Sequence, residues 1–133
     1  MCSYVAPYAR YVERMPVPPQ PFVADYKRVI AEGDTWVLEQ AGRVVGFVVL
    51  DARDVFWIEN IAVDPDIQSQ GLGGRLLVHA EQQAAARGFD RVHLYTPAIA
   101  HENQAWYAHH GYVETDRRMD DGRDRAFFEK RLG

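Results

Sequence analysis

The segment that most constrains this chain runs over residues 61–77, IAVDPDIQSQGLGGRLL. An apolar run stops at Asp64–Pro65 and a polar stretch follows. Gly71, Gly73 and Gly74 then open a segment with Leu72, Leu76, Ala80 and Ala84 on one helical face. A strand that feeds a long helix through such a turn sets up a βαβ crossover, which must return the chain to a parallel strand. The same turn is an anion cradle. The first N–H groups of a helix have no internal partner, the peptide dipoles add partial positive charge there, and glycines admit a phosphate close to the backbone.

The rest of the chain fits around that unit. Residues 3–14 place Tyr4, Val5, Tyr8, Tyr11 and Val12 at helical spacing, with Pro7 in the first turn. Residues 15–21 carry four prolines and form a stiff connector, and residues 22–31 read as a second helix. From Thr35 the period changes to that of strands: 35–40 (TWVLEQ), a turn at 41–43, 44–50 (VVGFVVL) and 55–63 (VFWIENIAV), an antiparallel meander. The helix over 71–87 ends at Gly88 and leads to a strand over 91–96 (RVHLYT), parallel to 55–63. A short helix over 101–110 ends at Gly111, and strands over 112–115 and 125–130 flank a turn at Asp121–Gly122. The run 116–124 is mixed in charge and reads as a solvated loop. The expectation is one domain over residues 1–133, with a central mixed sheet flanked by helices.

Composition excludes several functions. The chain has 15 Lys+Arg against 19 Asp+Glu, a net charge of −4, so no general attraction to nucleic acid is expected. One cysteine, Cys2, allows neither an internal disulfide nor a cysteine-rich metal site. Neighbouring histidines such as His109 and His110 point about 100° apart on a helix, so no metal site is expected. No apolar run is long enough to span a membrane and no signal-peptide pattern opens the chain, which predicts a cytoplasmic protein.

The glycine turn fits neither nucleotide fingerprint. A dinucleotide-binding turn needs a third glycine where Leu76 stands, and a P-loop needs a Gly-Lys-Ser/Thr sequence that is absent. The pattern present, Gln68-x-x-Gly71-x-Gly73, resembles the acyl-CoA signature of the GNAT superfamily of N-acetyltransferases. Downstream, Asn103, Tyr107 and Gly111–Tyr112 stand at successive four-residue intervals and resemble a second segment of that family. The strand 125–131 (RAFFEKR) is similar to its closing strand. The resemblance runs from Val37 to the end.

That resemblance implies acetyl-CoA as co-substrate, without a metal. The backbone of Ile61, Ala62 and Val63 would pair with the pantetheine arm as an added strand would. Amides over Gln68, Ser69, Gln70, Gly71, Leu72, Gly73 and Gly74 would hold the pyrophosphate. Asn103 would bond the cofactor's amide region, and Tyr107 would protonate the departing thiolate. Strand amides near 61–63 would meet the charge developing on the carbonyl oxygen. From the residues themselves, the acceptor amine must lose a proton, since an alkyl amine has a pKa of about 10.4. Glu59, a carboxylate inside an apolar strand, is the candidate base; a salt-bridged or edge carboxylate is the competing reading. Trp57 and Trp106 could line an acceptor pocket.

The family opens with a strand before its first helix, and here that strand is expected to be missing. The strand 35–40 would then be an open edge, which suggests a homodimer. The acceptor is a small-molecule or peptide amine. Two further readings stay open from sequence: an acyl-CoA-binding or sensing module without turnover, and an interaction domain without a cofactor.

Overall fold

The computed structural model describes residues 3–8, 33–40, 43–64, 71–120 and 122–132. Seven strands and two helices appear among them: β1 (Ser3–Pro7), β2 (Asp34–Gln40), β3 (Arg43–Ala52), β4 (Phe56–Val63), α1 (Leu72–Ala86), β5 (Arg91–Pro97), α2 (His101–His109), β6 (Val113–Asp120) and β7 (Arg123–Arg131). The sheet order is β1-β2-β3-β4-β5-β7-β6. The β4–β5 pairing is parallel, with Trp57 opposite His93, while β1–β2, β2–β3, β5–β7 and β6–β7 are antiparallel. The expected mixed sheet and βαβ crossover are therefore present.

The chain gathers into two compact units, Met1–Asp51 with Ile58–Gln82, and Ala52–Trp57 with Gln83–Gly133. In the first, Val44 to Leu50 are all buried, the continuous apolar run of a strand covered on both faces. Leu72, Leu76, Leu77 and Ala80 of α1 are buried with them, as the helical stripe required. In the second, Phe56, Ala84, Val92, Leu94, Ala126 and Phe128 form the core.

Three sequence expectations are corrected. Residues 3–7 form a strand, not the first turns of a helix, and each pairs with β2 from Ser3↔Gln40 to Pro7↔Trp36. A five-residue stretch with only Tyr4 and Val5 as large apolar residues fits both periods, and the ladder offered by β2 decides between them. Pro7 is tolerated because it closes the strand at the sheet edge. The opening strand expected to be missing is thus present, and β2, expected to be an open edge, is covered; the ground for a homodimer through that edge goes with it. Finally, most of the run 116–124 belongs to β6 and β7, which pair as far as Asp120↔Arg123, with Gly122 in a turn between them. Edge strand β6 is exposed from Val113 to Met119, so it carries no apolar alternation to announce it. The expected connector over 15–21, the helix over 22–31 and the turn residues 41 and 42 lie outside the described residues.

Candidate active site

In the first unit, β4 carries four of the expected residues. Phe56 and Ile58 are buried, Trp57 is half-buried and Glu59 is exposed, so the strand's alternation sends the Glu59 carboxylate to water. That removes the desolvation cost a carboxylate would meet in an apolar strand. Ile61, Ala62 and Val63 are half-buried at the end of the strand. At the next residue, the Asp64 amide donates to the Val45 carbonyl at 2.8 Å, and Arg43 reaches the buried Asp64 carboxylate at 3.4 Å. β4 is thus fastened to β3 just before the glycine turn.

Of the expected anion cradle, Gly71, Leu72, Gly73 and Gly74 are described, while Gln68, Ser69 and Gln70 lie outside the described residues. Gly71 has φ +70°, and nothing lies within 4 Å of where a Cβ would stand. Gly73 and Gly74 are half-buried in the first turn of α1, which holds no acidic side chain. This turn has features an anion requires: open space at the backbone and a helix start whose own first turn carries no acidic side chain.

In the second unit, α2 carries Asn103 and Tyr107. Asn103 is exposed, and its Nδ2 donates a long hydrogen bond, 3.5 Å, to Oγ1 of the buried Thr96 on β5. Tyr107 is half-buried. Its ring packs against Trp106, Tyr112 and Phe128, with centroids at 5.2, 6.0 and 6.2 Å. Burial pushes its phenol up to about 12, so the hydroxyl stays protonated through the neutral range.

The spacing Tyr107…Gly111–Tyr112 has a structural cause. Gly111 has φ +94°, the Gly111 amide donates to the Ala108 carbonyl at 3.1 Å, and the Tyr112 amide donates to the Tyr107 carbonyl at 3.0 Å. These are the paired bonds of a Schellman helix end, and the Tyr107–Tyr112 ring contact is the apolar clasp that accompanies it. The second sequence motif therefore also encodes how α2 stops.

Sequence reading missed the polar anchor of α2. Gln104 Nε2 donates to the carbonyls of Pro97 at 3.2 Å and Ala98 at 2.9 Å, and its Oε1 accepts from Arg117 at 2.9 Å. Arg117 also bonds both carboxylate oxygens of Glu114, at 3.1 and 2.9 Å. A glutamine on a helix gives no sign of such partners in sequence. Among the described residues no group of three or more His, Cys, Asp or Glu could hold a metal ion. None of the described helices is long and apolar enough to cross a membrane.

Comparison with known proteins identifies the family and the fold. The family described as Acetyltransferase (GNAT) domain matches residues 31–114. The [ribosomal protein bS18]-alanine N-acetyltransferase of Escherichia coli (strain K12) is 38% identical over 98 residues, covering 67% of this chain and 64% of that protein. N-alpha-acetyltransferase 80 of Mus musculus is 39% identical over 64 residues, covering 48% of this chain and 19% of that protein. The chain thus spans less than two-thirds of either relative. Among solved structures, a GNAT family acetyltransferase from Elizabethkingia anophelis with acetyl-CoA bound superposes at TM-score 0.75, with 18% identity and 98% of each chain covered. The ribosomal-protein-S18-alanine N-acetyltransferase from Escherichia coli superposes at 0.72, with 25% identity, 99% of this chain and 95% of that one.

Proposed function

The chain belongs to the GNAT acetyltransferase family, and we propose that it moves an acetyl group from acetyl-CoA to a primary amine by direct attack, with both substrates bound at once. Residues 1–133 act as one domain in this reading, in the cytoplasm. The observation that carries it is Tyr107, a phenol fixed by three aromatic rings and held protonated where the family's motif requires a proton donor.

Each residue has a defined task. Gly71, Leu72, Gly73 and Gly74 offer amides to the pyrophosphate, together with Gln68, Ser69 and Gln70. Ile61, Ala62 and Val63 offer main-chain groups to the pantetheine arm and to the carbonyl oxygen as charge develops on it. Asn103 orients the amide region. Glu59, exposed to water, accepts the amine's proton directly or through a water chain. The Tyr107 hydroxyl donates to the sulfur as the thiolate leaves.

The acceptor we favour is the α-amino group of a peptide. Two relatives carry names that specify such amines, an alanine of a ribosomal protein and an N-alpha position. The chemistry agrees. An α-amine, with a pKa of about 7.8, costs about 1 kcal/mol to deprotonate at pH 7, whereas a lysine side chain costs about 5 kcal/mol. The smaller cost leaves less for the Glu59 carboxylate to overcome with an α-amine than with a lysine side chain.

Thiol release from acetyl-CoA, measured with peptides and with lysine-type amines, tests this. Peptides should turn over fastest, and Glu59→Gln should lower kcat/KM by about 100-fold. CoA at 100 times its Kd should add about 2.7 kcal/mol to stability, read as a rise in Tm. A rise in Tm without release from any amine would leave the binding module as the function. No rise at millimolar CoA would remove the cofactor as well.

A further inference from the structure

The sheet face of the second unit that carries Trp57 holds a cluster the reaction above does not use. Trp57 of β4, Tyr95 of β5 and Phe127 of β7 form a triangle of rings, with centroids 6.4 Å apart from Trp57 to each of the others and 5.7 Å between Tyr95 and Phe127. Two arginines lie over it. The Arg118 guanidinium sits 3.9 Å above the Phe127 ring, and that of Arg125 sits 4.3 Å above the Tyr95 ring. Register makes Arg118 of β6 and Arg125 of β7 direct cross-strand partners.

Like charges directly opposed across a ladder destabilise it. Each arginine here has compensation on one flank: Arg118 bonds Asp116, and Arg125 bonds Asp120 at 2.9 Å. A further acid on this face, Glu129, lies 3.6 Å from Arg91 and 3.8 Å from His93. A guanidinium lying over a ring and held at one nitrogen has already lost part of its freedom. Much of the ordering cost of binding a carboxylate is then already met. The Arg118 side chain is 52% exposed, which keeps that edge within reach of solvent.

We infer that this aromatic and arginine face selects the acceptor, and that the acceptor is an acidic peptide: an apolar side chain beside the amine rests on Trp57 and Tyr95, and a carboxylate further along takes the guanidinium edges of Arg118 and Arg125. The assignment rests on the transfer reading above. The carboxylate also relieves the opposition of the two arginines, so each part of the cluster gains from occupancy.

The test uses the full chain and three peptides that begin Ala-Phe and differ only in the third residue: Asp, Asn or Lys. At saturating acetyl-CoA, kcat/KM should rank Asp over Asn over Lys, with Asp over Lys by about fivefold or more and the ratio shrinking with added salt. In the double variant Arg118→Gln/Arg125→Gln the ratio should fall below about twofold, with the KM for acetyl-CoA unchanged. A wild-type ratio near one overturns the inference. So does a double variant that raises the KM for acetyl-CoA and keeps the peptide ratio, because the arginines would then serve a cofactor phosphate. If no amine is acetylated, the transfer reading has failed, and calorimetric titration with the same peptides still decides: equal binding of the Asp and Lys peptides overturns the arginine assignment, and preference for Asp that is lost in the double variant upholds it.

Discussion

Replacing Tyr107 with phenylalanine removes one oxygen and leaves the ring. The contacts with Trp106, Tyr112 and Phe128 persist, so folding stability should change by less than about 1 kcal/mol. The effect on catalysis follows from the acidity of the phenol. Burial pushes it up to about 12, while an alkyl thiol such as that of cysteine has a pKa of about 8.5. Complete transfer of the phenolic proton to the thiolate is then uphill by roughly 3–4 pKa units, or about 5 kcal/mol. The hydroxyl therefore acts mainly by donating a hydrogen bond to the sulfur as charge builds, and only partly by giving up its proton. A hydrogen bond to a charged group contributes about 1.5–3 kcal/mol, which predicts a kcat loss of about 10- to 150-fold for Tyr107→Phe. Thiol release at saturating substrates measures this, with Tm as the control for folding. The wild-type profile should show no loss of activity from Tyr107 ionisation below pH 10, because the phenol stays protonated there. A loss of 10⁴-fold or more would mean that full proton transfer limits the wild-type rate, and a loss under about threefold would remove Tyr107 from the chemistry. Either result refutes the acidity argument.

Two further outcomes follow from the same helix. Because the Tyr107 pKa is raised from 10.0 to about 12 on folding, its contribution to stability is fully present below pH 10. It is lost between about pH 10 and 12, where the unfolded chain releases the proton first, for a total of up to about 3 kcal/mol. The difference in urea stability between wild type and Tyr107→Phe, followed from pH 8 to 11.5, should show that fall, and a flat difference rules it out. Gly111→Ala puts a Cβ on a residue at φ +94° and 3.2 Å from the Lys130 side chain. It should cost about 1–2 kcal/mol in urea denaturation and lower kcat as the α2 terminus shifts; wild-type stability and rate together would contradict the described helix end.

How much of this was readable beforehand depended on the range of the interactions involved. The α1 stripe of Leu72, Leu76, Ala80 and Ala84, the parallel return to β5 and the stop at Gly111 were legible because each is set by local periodicity or by a backbone that favours glycine. β1 was misread because Tyr4, Val5 and Tyr8 satisfy a helical face, and only the neighbouring strand breaks the tie. β6 was misread for the opposite reason: an edge strand with both faces in water has no pattern to show. Within the candidate site, Glu59, Asn103 and Tyr107 are proposed from residue type and spacing. The Gln104–Arg117–Glu114 network and the arginines stacked on Tyr95 and Phe127 were not legible, since they depend on which strands become neighbours.

The way α2 ends has a consequence for anyone who sets out to alter this protein. The main-chain oxygen of Tyr107 receives the amides of both His110 and Tyr112, so the terminus that halts the helix also clamps the residue bearing the phenol. The position of that hydroxyl is thereby tied to His110 and Tyr112 as well as to the body of the helix. Retuning its aim is therefore in part a matter of editing the turn at 110–112, and loop changes there should be treated as changes to the proposed reactive centre.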